Sequence, residues 1–247
     1  MSYKDFNTCP PKRVLLIGDS VGLTMGVQMA LNQTNWGTLV DNRADLGCGF
    51  VTGYEFFTGK HFGLQPSACN QSVETWVADE RQFKPNAVLV EMGWWDSQPH
   101  LINGTTESLG QPGYDAMVSQ DVVNFIRQLR TASNVPIFFL SVPWMNPPQW
   151  PNGQENPGAT AASHQEINAV LQAAAQSASN VHFIDVSPYL TPSGQYQEEV
   201  DGQVCRDTDG VHLYTTVPGS KFSYVMTKCG QALEKGVLSK IRTTLGK

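Results

Sequence analysis

Short runs of apolar residues recur along the chain, separated by longer segments in which apolar residues return every three or four positions. The runs are rich in β-branched and aromatic residues and predict buried parallel strands at 13–17, 37–40, 87–92, 136–142 and 181–186. The longer segments predict helices at 21–31, 73–83, 114–132, 164–177 and about 219–245. The third helix carries one apolar stripe that suits packing on a sheet, formed by Met117, Val118, Val122, Phe125, Ile126 and Leu129.

This alternation of strands and helices predicts an α/β fold, a three-layer α/β/α sandwich around a five-stranded parallel sheet. No internal repeat or break in composition marks a second domain, so we expect a tail at 1–12 and a single domain at 13–247. Two connections, 44–72 and 143–161, are too long for simple turns. Both follow strands, and ligands of open α/β sheets bind at the carboxyl ends of strands.

Composition narrows the class of partner. The 247 residues are 40% hydrophobic and 15% charged, with a net charge of −6 and no basic cluster, which argues against nucleic acid or an anionic membrane as a partner. No stretch reaches the roughly 18 apolar residues of a membrane-spanning helix, so we expect a soluble protein without membrane insertion. The oligomeric state is left open by the sequence.

The five cysteines bear on the compartment: Cys9, Cys48, Cys69, Cys205 and Cys229. None forms a C-x-x-C pair, so the spacing of structural zinc sites is absent, and an odd number allows at most two intrachain disulfides. Low Lys and Glu content and polar loops favour an exported protein, extracellular or periplasmic, whose signal peptide is not part of this sequence. Buried, reduced cysteines in a cytoplasmic protein are the alternative.

Gly18, Asp19 and Ser20 stand where the first strand passes into the first helix. A serine there projects its hydroxyl from the carboxyl edge of the sheet, and its N–H is one of the unpaired donors at a helix N-terminus, where negative charge is favoured. The motif therefore fits a nucleophile with half of an oxyanion site. It also fits simple helix capping, because Asp and Ser are preferred N-cap residues.

A second motif lies just before the last predicted helix, in RDTDGVHLY, where Asp209 precedes His212 by three residues. A serine hydroxyl needs a general base to attack a carbonyl, and imidazole is the usual one. Asp209 on the same turn is placed to orient the imidazole, with Asp207 as a competitor for that role. A surface turn and a structural histidine are the plainer interpretations.

The order G-D-S after the first strand and D-x-x-H before the last helix resembles the SGNH, or GDSL, hydrolases. These are serine esterases and acyltransferases on a flavodoxin-like sheet. The resemblance implies Ser20 as nucleophile, His212 as general base and then acid, and Asp209 as the residue that orients His212. It implies no metal and no cofactor.

Two further signature positions of that family help to bind the oxyanion. For the glycine after the second strand, NRADLGCGF offers Gly47 and Gly49, and the resemblance favours Gly47. For the asparagine after the third strand, this chain departs from the family, since MGWWDS places Trp95 there, followed by Asp96. The indole N–H of Trp95 is a donor that can replace the amide if the ring points inward, and otherwise the ring only packs.

These variant motifs resemble SGNH domains of bacterial cell-surface O-acyltransferase systems. That resemblance suggests a Cys48–Cys69 bridge, and Cys205 and Cys229, which flank the D-x-x-H turn, are candidates for a second. Three loop tryptophans fit either stacking on sugar rings or packing beneath their loops, namely Trp94, Trp144 and Trp150.

The sequence thus predicts a serine esterase that removes a short acyl group, most simply acetyl, from a carbohydrate or similar alcohol through an acyl-enzyme on Ser20. Its partner would be a small-molecule or glycan acyl ester. The same residues would make an O-acyltransferase if a sugar hydroxyl resolved the acyl-enzyme. A glycan-binding module without turnover and a lipase or thioesterase for long acyl chains are the rival hypotheses.

Overall fold

The structure is a computed structural model that describes residues 10–58, 61–147, 156–216 and 224–246. The strands in chain order are β1 (Lys12–Gly18), β2 (Thr38–Asn42), β3 (Glu55–Phe57), β4 (Phe62–Leu64), β5 (Ala87–Glu91), β6 (His100–Ile102), β7 (Thr105–Glu107), β8 (Ile137–Leu140), β9 (Val181–Ile184), β10 (Glu199–Val200) and β11 (Gln203–Val204). The helices are α1 (Ser20–Leu31), α2 (Cys69–Phe83), α3 (Pro112–Leu129), α4 (Ala161–Ser177), α5 (Ser187–Leu190) and α6 (Lys228–Thr244).

The central sheet has five parallel strands in the order β2-β1-β5-β8-β9. All five predicted strands are present, so the predicted α/β fold is confirmed. Every residue of β5 and β8 is buried, as are the last five residues of β1. Strands covered on both faces need apolar side chains on both, which explains why they stand out in the sequence as continuous apolar runs.

Helices cover the sheet in two groups. α1 packs against α6, while α3 packs against both α2 and α4. The core between these layers joins residues of all five central strands to the inner faces of the helices. Among the described residues, no helix combines the length and the apolar character that crossing a bilayer requires.

The last helix begins later than its periodicity predicts. The proposed start at about 219 lies outside the described residues, but residues 224–227 are described and are not helical, and α6 begins at Lys228. Thr227 is the physical reason, because its hydroxyl accepts a hydrogen bond from the Gly230 N–H at 3.0 Å and caps the helix.

A second, antiparallel sheet was not predicted from the sequence. It has the order β4-β3-β6-β7 and combines two strands from the long connection 44–72 with two strands that follow β5. This sheet links the loop after β2 to the segment after β5. The loop carries Gly47 and the segment carries Trp95, the two candidates for oxyanion binding.

Candidate active site

Ser20 is the first residue of α1, immediately after the end of β1. Asp19 is the N-cap, and its Oδ1 accepts hydrogen bonds from the Val21 N–H at 2.8 Å and the Gly22 N–H at 3.5 Å. Gly18 has a φ of 141°, and a Cβ there would lie 1.7 Å from the carbonyl oxygen of Glu91. The close approach of β1 to β5 therefore requires glycine at this position.

His212 and Asp209 form a direct pair on the turn before α6. The Nδ1 of His212 lies 2.5 Å from Asp209 Oδ2, while Asp209 Oδ1 accepts from the N–H groups of Val211 at 2.9 Å and His212 at 3.0 Å. Partial burial raises the pKa of Asp209, but these hydrogen bonds outweigh it and hold the pKa below its usual range. An ionised Asp209 fixes the proton on Nδ1, which leaves Nε2 as the basic nitrogen.

Asp207 is oriented differently from Asp209. Its Oδ1 accepts from the N–H of the adjacent Thr208 at 2.7 Å and from the Thr208 hydroxyl at 3.2 Å. Of the two carboxylates considered from the sequence, the structure therefore places Asp209 against the imidazole.

The turn that carries His212 is held against α1. The Leu213 N–H donates to the Thr24 hydroxyl at 3.2 Å, and the side-chain amide of Gln28 donates to the carbonyl of Tyr214 at 3.0 Å. A disulfide between Cys205 and Cys229 joins the same segment to the first turn of α6. Because Thr24 lies about one helical turn after Ser20, the segment of His212 is brought beside the N-terminal end of α1.

Arg206 holds the other side of this turn. Its side chain is fully buried, and its guanidinium donates to the carbonyls of Val211 at 3.1 Å and Trp144 at 3.0 Å. Burial lowers the pKa of Arg206 to about 10. The Asn146 N–H donates to the Gly210 carbonyl at 2.9 Å, so the loop after β8 and the turn of His212 form one hydrogen-bonded unit.

The loop after β2 presents Gly47 in a left-handed conformation, with a φ of 78°. Within the described residues the N–H groups of Gly47 and Ser20 donate to no acceptor, whereas the Gly49 N–H donates to Gln65 Oε1 at 3.2 Å. The Cys48–Cys69 disulfide fastens this loop to the start of α2. Of the two candidate glycines, Gly47 is thus the one with a free donor.

Trp95 follows β5 in a short 3₁₀ turn, and its ring packs on Phe56 with centroids 4.9 Å apart. Its indole Nε1 is buried and has no hydrogen-bond partner within the described residues. A buried donor without an acceptor is costly, so the indole N–H of Trp95 is one of the polar groups of this region that the fold itself leaves unsatisfied.

Asp96 has no exposed surface, and its carboxylate accepts from the N–H groups of Phe50 at 3.0 Å and Val51 at 2.8 Å. Burial raises the pKa of Asp96 to about 7, against the opposing effect of these two donors. The side chain thereby anchors the loop that carries Gly47 to the segment after β5.

Comparison with known proteins identifies the family of this chain. Residues 70–222 match the family described as "Protein of unknown function (DUF459)". The chain belongs to the DUF459 family. No curated protein matches the sequence.

Solved structures share the fold of this DUF459 chain at low sequence identity. The periplasmic domain of a lipopolysaccharide acetyltransferase from Salmonella ser. Paratyphi A has a TM-score of 0.57 at 15% identity, over 96% of this chain and 87% of that one. A carbohydrate acetylesterase from Sinorhizobium meliloti has a TM-score of 0.58 at 11% identity, over 94% and 99%. An aryl esterase from M. smegmatis has a TM-score of 0.55 at 13% identity, over 94% and 99%. These likenesses confirm the predicted fold, and it is the fold expected from the resemblance of the sequence motifs.

The structure of this DUF459 chain also decides between the two interpretations for one loop tryptophan and adds one residue. Trp94 is only 5% exposed and packs in the core, whereas Trp144 is half-buried and packs against His164 with ring centroids 5.2 Å apart. Trp150 lies outside the described residues. Arg206 was missed by sequence reasoning, although it stands three residues before Asp209. A single arginine beside a turn is ordinarily solvated, so the sequence carried no signal of its burial.

Proposed function

We propose that this protein is a serine hydrolase that removes a short acyl group, acetyl in the simplest case, from an O-ester of a carbohydrate or similar alcohol. The observation that supports this most directly is the Asp209–His212 pair on a turn hydrogen-bonded to α1, the helix that begins at Ser20. Nucleophile, base and orienting carboxylate are the three groups that acyl transfer by serine requires.

In the first half of the reaction, Ser20 Oγ attacks the ester carbonyl while His212 Nε2 takes the hydroxyl proton. The tetrahedral intermediate collapses, its bond to the alcohol oxygen breaks, and His212 returns the proton to that oxygen. Asp209 stays ionised and stabilises the imidazolium in between. In the second half, water attacks the acyl-Ser20 ester with the same proton transfers and releases the carboxylic acid.

The negative charge that develops on the carbonyl oxygen needs donors already in place. The free N–H groups of Ser20 and Gly47 are two such donors, and Ser20 adds the favourable field of a helix N-terminus. The buried, unpartnered indole N–H of Trp95 is the third. It takes the place of the asparagine that the family signature has at this position.

O-acyl transfer is the second candidate function. The shared fold with the periplasmic domain of a lipopolysaccharide acetyltransferase favours it, since the only chemical difference is that a sugar hydroxyl, rather than water, attacks the acyl-enzyme. The two disulfides, Cys48–Cys69 and Cys205–Cys229, fit an oxidising compartment such as the periplasm or the cell exterior.

The test is hydrolysis of p-nitrophenyl acetate by the wild type, Ser20→Ala and His212→Ala, with the exposed Ser193→Ala as a matched control. Replacement of Ser20 or His212 should lower kcat by about 10⁴-fold, while Ser193→Ala keeps wild-type activity. Equal rates for the wild type and Ser20→Ala would reject the enzyme hypothesis.

The substrate class is tested with two further measurements. Rates should fall from acetyl to longer acyl esters, and acetate should be released from acetylated glycans; rates that rise with chain length would instead indicate a lipase or thioesterase. Adding unacetylated glycan acceptors then measures how the acyl-enzyme partitions between water and sugar. Saccharide binding by a protein without turnover would favour the binding module.

A further inference from the structure

Two carboxyl groups lie directly beneath the N-terminus of α1. Asp19 and Glu91 both have no exposed surface, and the Asp19 N–H donates to the Glu91 carbonyl at 3.0 Å. Both side chains lie beside Gly22, whose N–H is 3.5 Å from Asp19 Oδ1 and whose Cβ, if it had one, would lie 3.5 Å from Glu91 Oε2. Asp19 Oδ2 and both carboxyl oxygens of Glu91 nevertheless find no donor among the described residues. Two ionised carboxylates are acceptors alone, so a hydrogen bond between these side chains requires a proton on one of them.

The charges around Asp19 and Glu91 also favour a state in which the two carboxyl groups share one proton. Arg206 is the buried cation of this region, but it directs its two donating nitrogens at the carbonyls of Val211 and Trp144. Other titratable groups are coupled to this cluster. His212 and Asp96 interact with Asp19, while Tyr196 and Asp209 interact with Arg206. One buried cation balances one carboxylate, and a second unpaired charge in this interior would be costly.

The directions of the pKa shifts agree with one proton and one negative charge on the pair. Burial raises the pKa of Asp19 to about 6, against the lowering effects of Glu91, of the Val21 and Gly22 N–H groups and of His212. Burial and the neighbouring Asp19 raise the pKa of Glu91 well above its ordinary value. At neutral pH the pair then holds its proton on Glu91 and its charge on Asp19.

We propose that Glu91 is a positioning residue: un-ionised, it donates a hydrogen bond to Asp19 Oδ2, and loss of this shared proton sets the alkaline limit of activity. The inference rests on the proposed function. Asp19 caps the first turn of α1 and so holds the Ser20 N–H in place. When Glu91 ionises at high pH, the hydrogen bond is lost and a second negative charge appears beneath the oxyanion site. Both effects oppose formation of the oxyanion, so activity falls as the pH rises.

The kinetic test compares pH profiles of kcat/KM for the wild type, Glu91→Gln, Glu91→Leu and the exposed control Glu74→Gln. Glutamine donates to Asp19 Oδ2 but does not titrate, so Glu91→Gln should retain most activity at neutral pH and lose the alkaline decline. Leucine has no donor, so kcat should be about tenfold below that of Glu91→Gln. Glu74→Gln should keep the wild-type profile. An alkaline decline that persists in folded Glu91→Gln, or equal activity of the Gln and Leu variants, overturns the proposal.

Infrared difference spectra test the proton without any activity. Wild type minus Glu91→Gln at neutral pH should show the carbonyl stretch of an un-ionised carboxylic acid, and loss of ionised carboxylate bands instead would overturn the proposal. Asp19→Asn provides a second route, because asparagine still caps α1 and donates to Glu91, which should then ionise and lose the same band. Failure of the proposed function is separable, since it shows in the Ser20→Ala assay and leaves these spectra unaffected.

Discussion

The backbone N–H of Leu213 donates a hydrogen bond to the hydroxyl of Thr24 at 3.2 Å, across 189 residues of sequence. Thr24 belongs to the helix that begins at Ser20, and Leu213 follows His212. Together with the bond from Gln28 to the Tyr214 carbonyl, the Leu213–Thr24 bond links the two segments that acyl transfer must hold together, and it is the one next to His212. Since a short displacement of a base from its nucleophile costs much of the rate, the bond should matter for kcat more than for stability.

Thr24→Val tests that link, because valine keeps the shape of threonine and removes the hydroxyl. We expect kcat to fall about fivefold to tenfold with little change in KM, measured on p-nitrophenyl acetate. Thr75→Val is the matched control, since the Thr75 hydroxyl bonds within its own helix to the Gln71 carbonyl at 2.9 Å. Equal kcat values for the two variants would show that Thr24 does not help to position His212.

Comparing Asp209→Asn with Asp207→Asn shows which of the two carboxylates near His212 assists the imidazole. Asparagine cannot stabilise the imidazolium and disfavours the tautomer with its proton on Nδ1, so kcat should fall by about 10³- to 10⁴-fold. Asp207→Asn should stay within about twofold of wild type, because the Asp207 carboxylate bonds to Thr208 and not to the imidazole of His212, and the backbone bond from Asp207 N–H to the His212 carbonyl is kept. The reverse order of the two effects in the same esterase assay would assign the role to Asp207.

Asp96 should make stability depend on pH. Its folded pKa is raised to about 7 from an ordinary value of 3.8, so between these values the folded protein holds a proton that the unfolded chain releases. The free energy of unfolding should therefore fall as the pH rises through this window, by up to about 1.4 kcal/mol per pH unit from this group.

Asp96→Asn removes that titration and should flatten the slope in urea unfolding followed from acid to neutral pH. Asp201→Asn, at an exposed position, should keep the wild-type slope. An unchanged slope in Asp96→Asn would show that Asp96 is ionised throughout the range.

The Cys48–Cys69 disulfide should stabilise both the fold and the loop of Gly47. It closes a segment of 21 residues, for which the chain-entropy account gives about 3 kcal/mol. Cys48→Ser combined with Cys69→Ser should lower the free energy of unfolding by that order, and kcat should fall because the Gly47 N–H loses its support. Wild-type protein treated with a reductant provides the comparison. A variant with unchanged stability and kcat would argue against both effects.

The central sheet could be predicted because its inner strands β1, β5 and β8 are buried on both faces, so that each is marked by a continuous apolar run. The three-residue strands β3, β4, β6 and β7 could not, since each is too short for an alternating pattern and exists through pairing with distant segments. The late start of α6 depends on the Thr227 cap, which the apolar periodicity alone does not locate.

The residues of the candidate site that belong to recognisable sequence motifs could be predicted, and the others could not. Ser20, Asp209 and His212 come from residue types at recognisable positions, and the structure pairs two of them directly. Glu91 left a faint signal, a single carboxyl in the apolar run AVLVEM, whereas Arg206 left none. Their importance comes from burial and from partners far away in sequence, which a local pattern does not contain.

Trp95→Phe tests the unusual donor of the oxyanion site, because phenylalanine keeps a ring against Phe56 and removes the indole N–H. That N–H has no partner within the described residues, so its removal should leave the stability unchanged or slightly raised. Loss of one oxyanion donor costs up to about 3 kcal/mol in the transition state, and we expect kcat to fall about 100-fold with KM nearly constant.

Trp76→Phe is the matched control with the opposite signature. The Trp76 indole N–H donates to the Arg43 carbonyl at 2.7 Å, so its removal leaves a carbonyl without its donor and should lower the free energy of unfolding by about 1 kcal/mol while kcat is retained. Thermal unfolding and ester hydrolysis measured on both variants distinguish a donor that serves the transition state from one that serves the fold. If Trp95→Phe lost stability and kept kcat, as we expect of Trp76→Phe, the Trp95 indole would be a packing group and the oxyanion site would rest on Ser20 and Gly47.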